Sequence, residues 1–302
     1  MARRAEVAVA IWRLSRPAIW LVSVLPLWTG HLLATRELAP ATFQGGWRFG
    51  LAVVVIGPLG WASASAINDI HDLETDRRNP RKATAPLMSG ALTPEAVRRA
   101  AYVSAVAALA CAVVIGIGFA LLTAGVLALA WAYSVPPLRL KTRPGADVAS
   151  NTVAVGMLPL LAGWAVTEPV ADFPGWFLLQ SAAVVVALYV PTTLVDLDAD
   201  LAAGDRTIAT RLGRARAYRL GWSAWLIAAA GTLVLTATGT VIPRSLLGVY
   251  AVVVPMLVVA YHVLIGRAAT SAAMVRGIVA LSFAFLVPSV AFAFVYSGVV
   301  NP

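Results

Sequence analysis

The chain has 302 residues, of which 60% are hydrophobic and 12% are charged, and its mean hydropathy is +0.82. This composition excludes an ordinary soluble domain and a disordered chain, and it favours a protein that lies within the bilayer. Cys111, which lies in an apolar run, is the single cysteine. One cysteine excludes an intrachain disulfide and a cysteine-based metal cluster.

Nine apolar segments follow one another, and each is close to the roughly 20 residues that a membrane-spanning helix needs. They cover residues 17–35, 47–68, 95–114, 116–134, 149–166, 176–195, 217–237, 245–265 and 274–297. No small-residue cleavage site follows the first segment, which favours a retained helix over a signal peptide. The sequence therefore predicts an all-α, polytopic membrane protein with about nine transmembrane helices in a single domain, residues 1–302.

The formal net charge of +9 is explained by membrane topology rather than by a nucleic-acid partner. If the amino terminus is cytoplasmic, all 23 Lys and Arg residues except Arg36, Arg48 and Arg244 lie on the cytoplasmic side. The positive-inside rule describes this asymmetry. We therefore expect a multi-pass protein of the cell membrane with a cytoplasmic amino terminus, in contact with membrane lipid and without a nucleic-acid partner.

The acidic residues concentrate after the second and sixth segments, at two ends that face the cytoplasm in this topology. Eight of the 14 Asp and Glu residues belong to these two clusters, namely Asp69, Asp72, Glu74, Asp76, Asp196, Asp198, Asp200 and Asp205. The run 72–76 has the same pattern as the run 196–200. This similarity indicates a parallel pseudo-repeat of four helices, in which each half contributes one acidic helix end.

The spacing of the acids indicates a metal site. Asn68, Asp72 and Asp76 are spaced i, i+4, i+8, near one face of a helix, and Asp196 and Asp200 repeat the i, i+4 step. Crowded carboxylates at the membrane boundary repel one another and lose solvation, and a divalent cation relieves both costs. Oxygen ligands favour Mg²⁺, which keeps open positions for substrate phosphates. The alternative, a solvated charge that only sets topology, suits some residues at least as well as catalysis: Asp198, Asp205, Glu74, Arg78 and Arg99.

Basic residues are interleaved with the acidic clusters. They follow the first cluster, follow the second, and occupy the cytoplasmic loop between the two. The set is Arg77, Arg81, Lys82, Arg139, Lys141 and Arg206. A site with both Mg²⁺ and Lys or Arg matches a diphosphate, whose charge is bound in the ground state and stabilised further as it leaves.

Three motifs at these positions resemble those of the UbiA superfamily of intramembrane prenyltransferases. The first, N-D-x-x-D-x-x-x-D, covers residues 68–76, and the loop motif Y-S-x-P-P-x-R-x-K covers residues 133–141. The second acidic motif, D-x-x-x-D, covers residues 196–200 and is followed by Gly204 and the run 206–213. The resemblance extends over most of the chain, from Ser15-Arg16-Pro17 to the ninth segment.

The resemblance implies a fold, a cofactor and a set of site residues. It implies nine helices around a central cavity, two Mg²⁺ ions, and a polyprenyl diphosphate whose tail lies in an apolar tunnel that opens towards lipid. The implied metal ligands are Asn68, Asp69, Asp72, Asp76, Asp196 and Asp200, and the four carboxylates Asp72, Asp76, Asp196 and Asp200 are the catalytic candidates. The candidates for diphosphate binding are Arg81, Lys82, Tyr133, Arg139, Lys141 and Arg206.

The main functional hypothesis is a Mg²⁺-dependent prenyltransferase that moves a prenyl group to a lipophilic acceptor. A UbiA-type terpene cyclase, which needs no acceptor, and a transporter or lipid-binding protein are the alternatives. Members that act on aromatic acceptors commonly carry Arg-Pro-x-x-Ser-Gly after the first motif, whereas residues 85–90 here read Ala-Pro-Leu-Met-Ser-Gly. Residues 78–82 and 143–147 look like the branch that includes carotenoid (lycopene) elongases.

Overall fold

A computed structural model describes residues 2–77 and 82–300, and no strand occurs among them. Eight helical segments in these two ranges are long and apolar enough to cross a membrane. They are Phe43–His71, Pro94–Ile115, Ile117–Ser134, Ala146–Trp164, Gly175–Val195, Arg214–Thr238, Arg244–Gly266 and Ser271–Tyr296. A ninth crossing forms if the pair Glu6–Ile19 and Leu21–Thr35, bent by 62°, is one span. The predicted all-α, multi-pass membrane fold is confirmed.

The described part of the chain contains fifteen α-helices. They are α1 (Ala2–Leu14), α2 (Leu21–Thr35), α3 (Phe43–Val54), α4 (Gly60–His71), α5 (Leu73–Asp76), α6 (Pro94–Ile115), α7 (Ile117–Ser134), α8 (Ala146–Asn151), α9 (Leu158–Trp164), α10 (Gly175–Val195), α11 (Leu197–Ala203), α12 (Ile208–Leu212), α13 (Arg214–Thr238), α14 (Leu247–Tyr261) and α15 (Ser271–Tyr296). The π-helical segments Val55–Leu59 and Thr152–Met157 join α3 to α4 and α8 to α9. Proline explains these two joints, because Pro58 lies inside the first and Pro159 follows the second, and neither has an N–H to donate.

The start of the first predicted segment differs from the structure. The sequence predicts a helix from residue 17, whereas Pro17–Ile19 form a 3₁₀ turn and α2 begins at Leu21. Arg16 has a left-handed backbone with φ of 52°, which breaks the path between α1 and this turn. The sequence analysis assigned no helix before residue 17, because α1 mixes arginines with apolar residues and lacks a long apolar run.

The contacts of the chain group into two compact units that interleave along the sequence. Unit 1 comprises Met1–Thr35, Ala39–Leu140 and Ala154–Phe173. Unit 2 comprises Arg36–Leu38, Lys141–Val153 and Pro174–Pro302. The first acidic motif belongs to unit 1 and the second to unit 2. The single domain over the whole chain stays a prediction.

In unit 1, helices α2 and α9 cross with their backbones in contact at two glycines. A Cβ atom at Gly30 would lie 1.9 Å from the carbonyl oxygen of Leu160, and one at Gly163 would lie 1.8 Å from that of Leu27. Small residues allow this close approach between membrane helices. Leu27 is fully buried beside the crossing. The two glycines therefore fix the position of α2 in unit 1.

The apolar face of α4 positions the first acidic motif. Ala66 is fully buried, and Ile70 and Leu73 pack with it in a cluster that also contains Leu14 and Val97. The helical period of 3.6 residues turns positions 68, 72 and 76 away from this cluster. Burial of the apolar face thus determines which face of the helix carries the polar residues.

The same device positions the second acidic motif in unit 2. Leu194 and Leu197 flank Asp196, and both are buried in a cluster with Val190, Ala209 and other residues of the unit. Asp196 itself is exposed. Anchoring apolar neighbours on both sides leaves the carboxylate on the outer face of the helix end.

Candidate active site

The two acidic motifs have the same backbone geometry. Helix α4 ends and α5 begins at Asp72, with φ −104° and ψ 6°, and α10 ends and α11 begins at Asp196, with φ −96° and ψ 1°. The amide of Asp76 donates to the carbonyl of Asp72 at 2.7 Å, and that of Asp200 to Asp196 at 2.8 Å. Active-site residues often adopt this sparsely populated region of φ and ψ. The two predicted half-motifs are therefore equivalent in structure as well as in sequence.

Cations lie directly on the carboxylates of the first motif. Arg139 Nη2 donates to Asp72 Oδ1 at 3.3 Å, and Lys82 Nζ donates to Asp76 Oδ2 at 3.3 Å. Both carboxylates are largely buried, with side-chain exposures of 17% and 12%. The structure thus brings together four residues that the sequence assigned separately to metal binding and to diphosphate binding.

The loop after α7 carries Arg139, the arginine of the loop motif at residues 133–141. Tyr133 lies in the last turn of α7, and Ser134 Oγ donates to Asn68 Oδ1 at 3.1 Å. Arg139 has a positive φ of 38°, and its amide donates to the carbonyl of Val135 at 2.9 Å. This turn directs the Arg139 side chain onto the first acidic motif. Lys141 follows in the 3₁₀ turn Leu140–Thr142.

Asp69, predicted as a metal ligand, has a cationic partner of its own. Its carboxylate is buried and accepts a hydrogen bond from Arg16 Nη2, and the two residues form an ion pair. The sequence analysis did not predict this pair. The sequence offered only the position of Arg16, immediately before the first apolar segment, and nothing that named its partner.

In the second motif, Asp200 is the better-sheltered carboxylate. Its Oδ2 accepts a hydrogen bond from Thr207 Oγ1 at 3.1 Å. Burial raises the pKa of Asp200 to about 6, the Thr207 hydrogen bond opposes that rise, and the nearby charges of Asp196, Asp205 and Asp147 add to it. A nearby cation would stabilise the ionised form of this carboxyl group, because it would offset both the loss of solvation and the repulsion by the other acids.

The sequence analysis missed Asp147, which lies in the first turn of α8. The residue is 1% exposed, its Oδ1 accepts from the Gly145 amide at 2.8 Å, and its Oδ2 accepts from the Ile208 amide at 2.9 Å. The second bond joins positions 61 residues apart. The available signal was a single acid that closes the basic loop 139–143.

The other predicted site residues occupy varied positions. Arg206 is exposed and immediately precedes Thr207. Arg81 lies outside the described residues. Glu74 and Asp198, for which a solvated charge is the competing interpretation, are both exposed. The metal and diphosphate roles of all these residues stay predictions.

The chemistry of the donor atoms fits Mg²⁺ that is shared with a phosphate ligand. Among residues 2–77 and 82–300, no three His, Cys, Asp or Glu side chains lie close enough together to hold a metal ion. Each motif instead supplies two carboxylates one helical turn apart, and Asn68 adds an amide oxygen to the first. Mg²⁺ is commonly held by one or two carboxylates together with water and substrate phosphates. A closed structural zinc site needs four protein ligands, usually sulfur or nitrogen, and does not fit.

Comparison with known families agrees with the motifs. The UbiA prenyltransferase family model matches residues 23–283. The chain belongs to the UbiA prenyltransferase family. A lycopene elongase/hydratase of Haloarcula japonica is 30% identical over 72% of this chain and 71% of its own length. A second lycopene elongase/hydratase, from Corynebacterium glutamicum, is 30% identical over 71% and 73%. A 4-hydroxybenzoate octaprenyltransferase of Paracidovorax citrulli is 34% identical over 67% and 65%.

Solved structures of the UbiA family share the fold. A UbiA homolog from Archaeoglobus fulgidus bound to GPP and Mg²⁺ superimposes with a TM-score of 0.73 at 20% identity, over 96% of this chain and 99% of that one. The same homolog bound to DMAPP and Mg²⁺ gives a TM-score of 0.74 at 19% identity, with the same coverage. At this level of identity the likeness establishes the architecture of a multi-pass membrane protein.

Proposed function

We propose that this protein is a Mg²⁺-dependent intramembrane prenyltransferase, which ionises a polyprenyl diphosphate and transfers the prenyl group to a lipophilic acceptor. The observation that carries the proposal is the contact of Arg139 with Asp72 and of Lys82 with Asp76. Carboxylates that would hold a metal and cations that would hold a diphosphate belong to one cluster, which is the composition that a metal–diphosphate complex requires.

The two acidic motifs divide the metal ligands between them. Asn68, Asp72 and Asp76 would hold one Mg²⁺ ion, with Asp69 as a further candidate, and Asp196 and Asp200 would hold a second. Bound there, Mg²⁺ supplies Lewis-acid stabilisation of the charge that develops on the departing diphosphate. The solved UbiA homolog from Archaeoglobus fulgidus, bound to GPP or DMAPP together with Mg²⁺, supports the choice of metal and of a prenyl diphosphate.

The cations of the chain bind and stabilise the diphosphate. The proposed diphosphate ligands are the cations Arg81, Lys82, Arg139, Lys141 and Arg206, and the Tyr133 hydroxyl is a further candidate. In the reaction, the allylic C–O bond breaks and the diphosphate leaves with the bonding electron pair. Cations held beside the diphosphate would favour this step, because they stabilise the negative charge as it develops. The acceptor then donates a π-electron pair to the allylic cation, a C–C bond forms, and the acceptor releases a proton.

The apolar spans protect the allylic cation from water. A cation of this kind reacts with water as readily as with an acceptor, so the site has to exclude water until the acceptor attacks. Hydrophobic side chains of membrane-spanning helices provide such surroundings and also solvate a prenyl chain. Both the donor and the acceptor would enter from the bilayer.

We propose a polyene hydrocarbon of the carotenoid type as the first candidate acceptor. Two observations support it: the lycopene elongase/hydratases among the relatives, and alanine at position 85, where aromatic-acceptor members commonly carry arginine. An aromatic acid such as 4-hydroxybenzoate is the second candidate, because the 34% identical relative is named for that acceptor.

The test is an assay of the purified protein in lipid nanodiscs with Mg²⁺ and geranylgeranyl diphosphate. Separate reactions contain lycopene, 4-hydroxybenzoate, a membrane lipid extract, or no acceptor. Pyrophosphate release and organic products are followed together by mass spectrometry. We expect a prenylated product only where an acceptor is present, and its mass identifies that acceptor.

Paired variants distinguish the metal ligands from their exposed neighbours. Asp72→Asn and Asp196→Asn are expected to lower turnover by about 100-fold or more, because each removes a charge from a metal ligand. Glu74→Gln and Asp198→Asn, which neutralise exposed acids next to them, should keep turnover within about twofold. A hydrocarbon or alcohol formed without acceptor would indicate a terpene cyclase instead. Mg²⁺-dependent binding without pyrophosphate release would indicate a transporter or lipid-binding protein.

A further inference from the structure

Asp147 is buried in unit 2 and connects two loops that are distant in sequence. One oxygen accepts from Gly145, two residues earlier, which alone would be an ordinary helix-start contact. The other accepts from the Ile208 amide at 2.9 Å, across 61 residues. Each oxygen thus accepts a backbone amide, and the residue is only 1% exposed, which suits a structural role better than direct contact with a substrate.

The residue next to Ile208 reaches the second acidic motif. Thr207 is the first residue before α12, and Thr207 and Thr210 cap the start of that helix reciprocally. The Thr207 hydroxyl also donates to Asp200 Oδ2 at 3.1 Å. A path of two hydrogen bonds and one peptide therefore runs from Asp147 to the carboxylate of Asp200.

We propose that Asp147 is a positioning residue for the second acidic motif: it fixes the start of α12, and through Thr207 it orients the Asp200 carboxylate. The inference rests on the proposed function, in which Asp200 is a metal ligand. Groups that orient metal ligands through hydrogen bonds commonly account for 10- to 100-fold in metal affinity or activity. Asp147 would act in this way through Thr207, which contacts Asp200 directly.

The experiment measures metal binding without substrate and turnover with it. Mn²⁺, used in place of Mg²⁺, is titrated into the full-length protein in nanodiscs, and free Mn²⁺ is read by electron paramagnetic resonance. The variants are Asp147→Asn, Thr207→Val, their double variant and Thr207→Ser. Asp198→Asn is the matched control, because it removes one exposed carboxylate from the same motif. Circular dichroism and size exclusion establish that each variant is folded.

We expect Asp147→Asn to weaken one class of Mn²⁺ site by about 10-fold or more, and to lower kcat/KM by a similar factor. Thr207→Val should have a comparable effect, and the double variant should be no worse than the more damaging single variant, because both act through one path. Thr207→Ser keeps the hydroxyl and should retain wild-type binding. If Asp147→Asn does not fold, Asp147→Glu takes its place with the same expected direction.

The outcomes separate this inference from the proposed function. Additive effects of the two variants, or Mn²⁺ binding by Asp147→Asn equal to that of Asp198→Asn, would overturn the role of Asp147 even if prenyl transfer is active. If Asp147→Asn loses one Mn²⁺ site while the wild-type protein transfers no prenyl group, the positioning role would be supported and the proposed function refuted. A wild-type protein that binds no Mn²⁺ would overturn both.

Discussion

At the scale of single residues, Asp200 predicts a pH dependence. Its pKa is raised to about 6, mainly by burial, so the carboxyl is protonated below that pH and does not bind a metal well. We expect turnover at limiting Mg²⁺ to fall about tenfold per pH unit below pH 6, because metal binding then has to displace one proton. The pH profile of kcat/KM at fixed low Mg²⁺ measures this. An acidic limb near pH 4 would contradict the prediction.

The stability of the fold should depend on pH in the opposite direction to turnover. The folded-state pKa of Asp200, about 6, lies above its ordinary value of 3.8, so ionisation costs the folded protein more than the unfolded chain. Its stabilising contribution is complete below about pH 4 and is lost as the pH rises through 6. Thermal melting in a chelator should therefore show a lower Tm at pH 7 than at pH 5, by an amount that Asp200→Asn reduces.

Residue spacing predicted the components of the site better than their partners. Asp72 stood out because acids cluster after the second segment, and Arg139 because it lies in the basic loop between the two acidic clusters, and the structure pairs them. Spacing gave no indication of the Arg16–Asp69 ion pair or of the contact between Asp147 and Ile208. Both join distant parts of the chain, and tertiary packing rather than local pattern decides such contacts.

At the scale of elements, the crossing of α2 and α9 predicts strong sensitivity at two glycines. Gly30→Ala or Gly163→Ala would place a methyl group within 2 Å of a backbone oxygen, which neither helix can relieve by a rotamer change. We expect each variant to lose about 3 kcal/mol or more, seen as a Tm lower by about 5 °C or more in nanodiscs. Gly46→Ala and Gly50→Ala are the controls, because nothing lies within 4 Å of their added methyl groups. Melting temperatures equal to those of the controls would contradict the tight crossing.

Hydropathy predicted the long spans because each is a continuous apolar run with polar loops at both ends. Shorter elements were missed for a physical reason. Helix α1 has no long apolar run, and α5, α11 and α12 are each seven residues or fewer, below the length at which helical periodicity is distinctive. Helices α5 and α11 carry Asp76 and Asp200, and α12 begins directly after the threonine that holds Asp200, so the least predictable elements help to shape the site.

At the scale of the whole molecule, the two acidic motifs resemble each other, as the predicted pseudo-repeat of the chain requires. Each follows a long span, each places an aspartate at a break between two helices, and each is anchored by buried apolar neighbours on its own unit. The sequence pattern alone indicated this relation only weakly. The matching φ and ψ angles of Asp72 and Asp196 agree with it at the two motifs, because that backbone region is sparsely populated.

The distribution of charge predicts that the amino terminus and both acidic motifs face the cytoplasm. With Cys111 replaced by Ala, single cysteines introduced by Ala83→Cys and Ala202→Cys should react in intact cells only after the membrane is permeabilised. Ala171→Cys, in the loop before α10, should react with an impermeant maleimide from outside. All three alanines are exposed, so differences in labelling report sidedness rather than burial. The reverse pattern would overturn the orientation and would place both acidic motifs, with the proposed diphosphate site, on the outer face of the membrane.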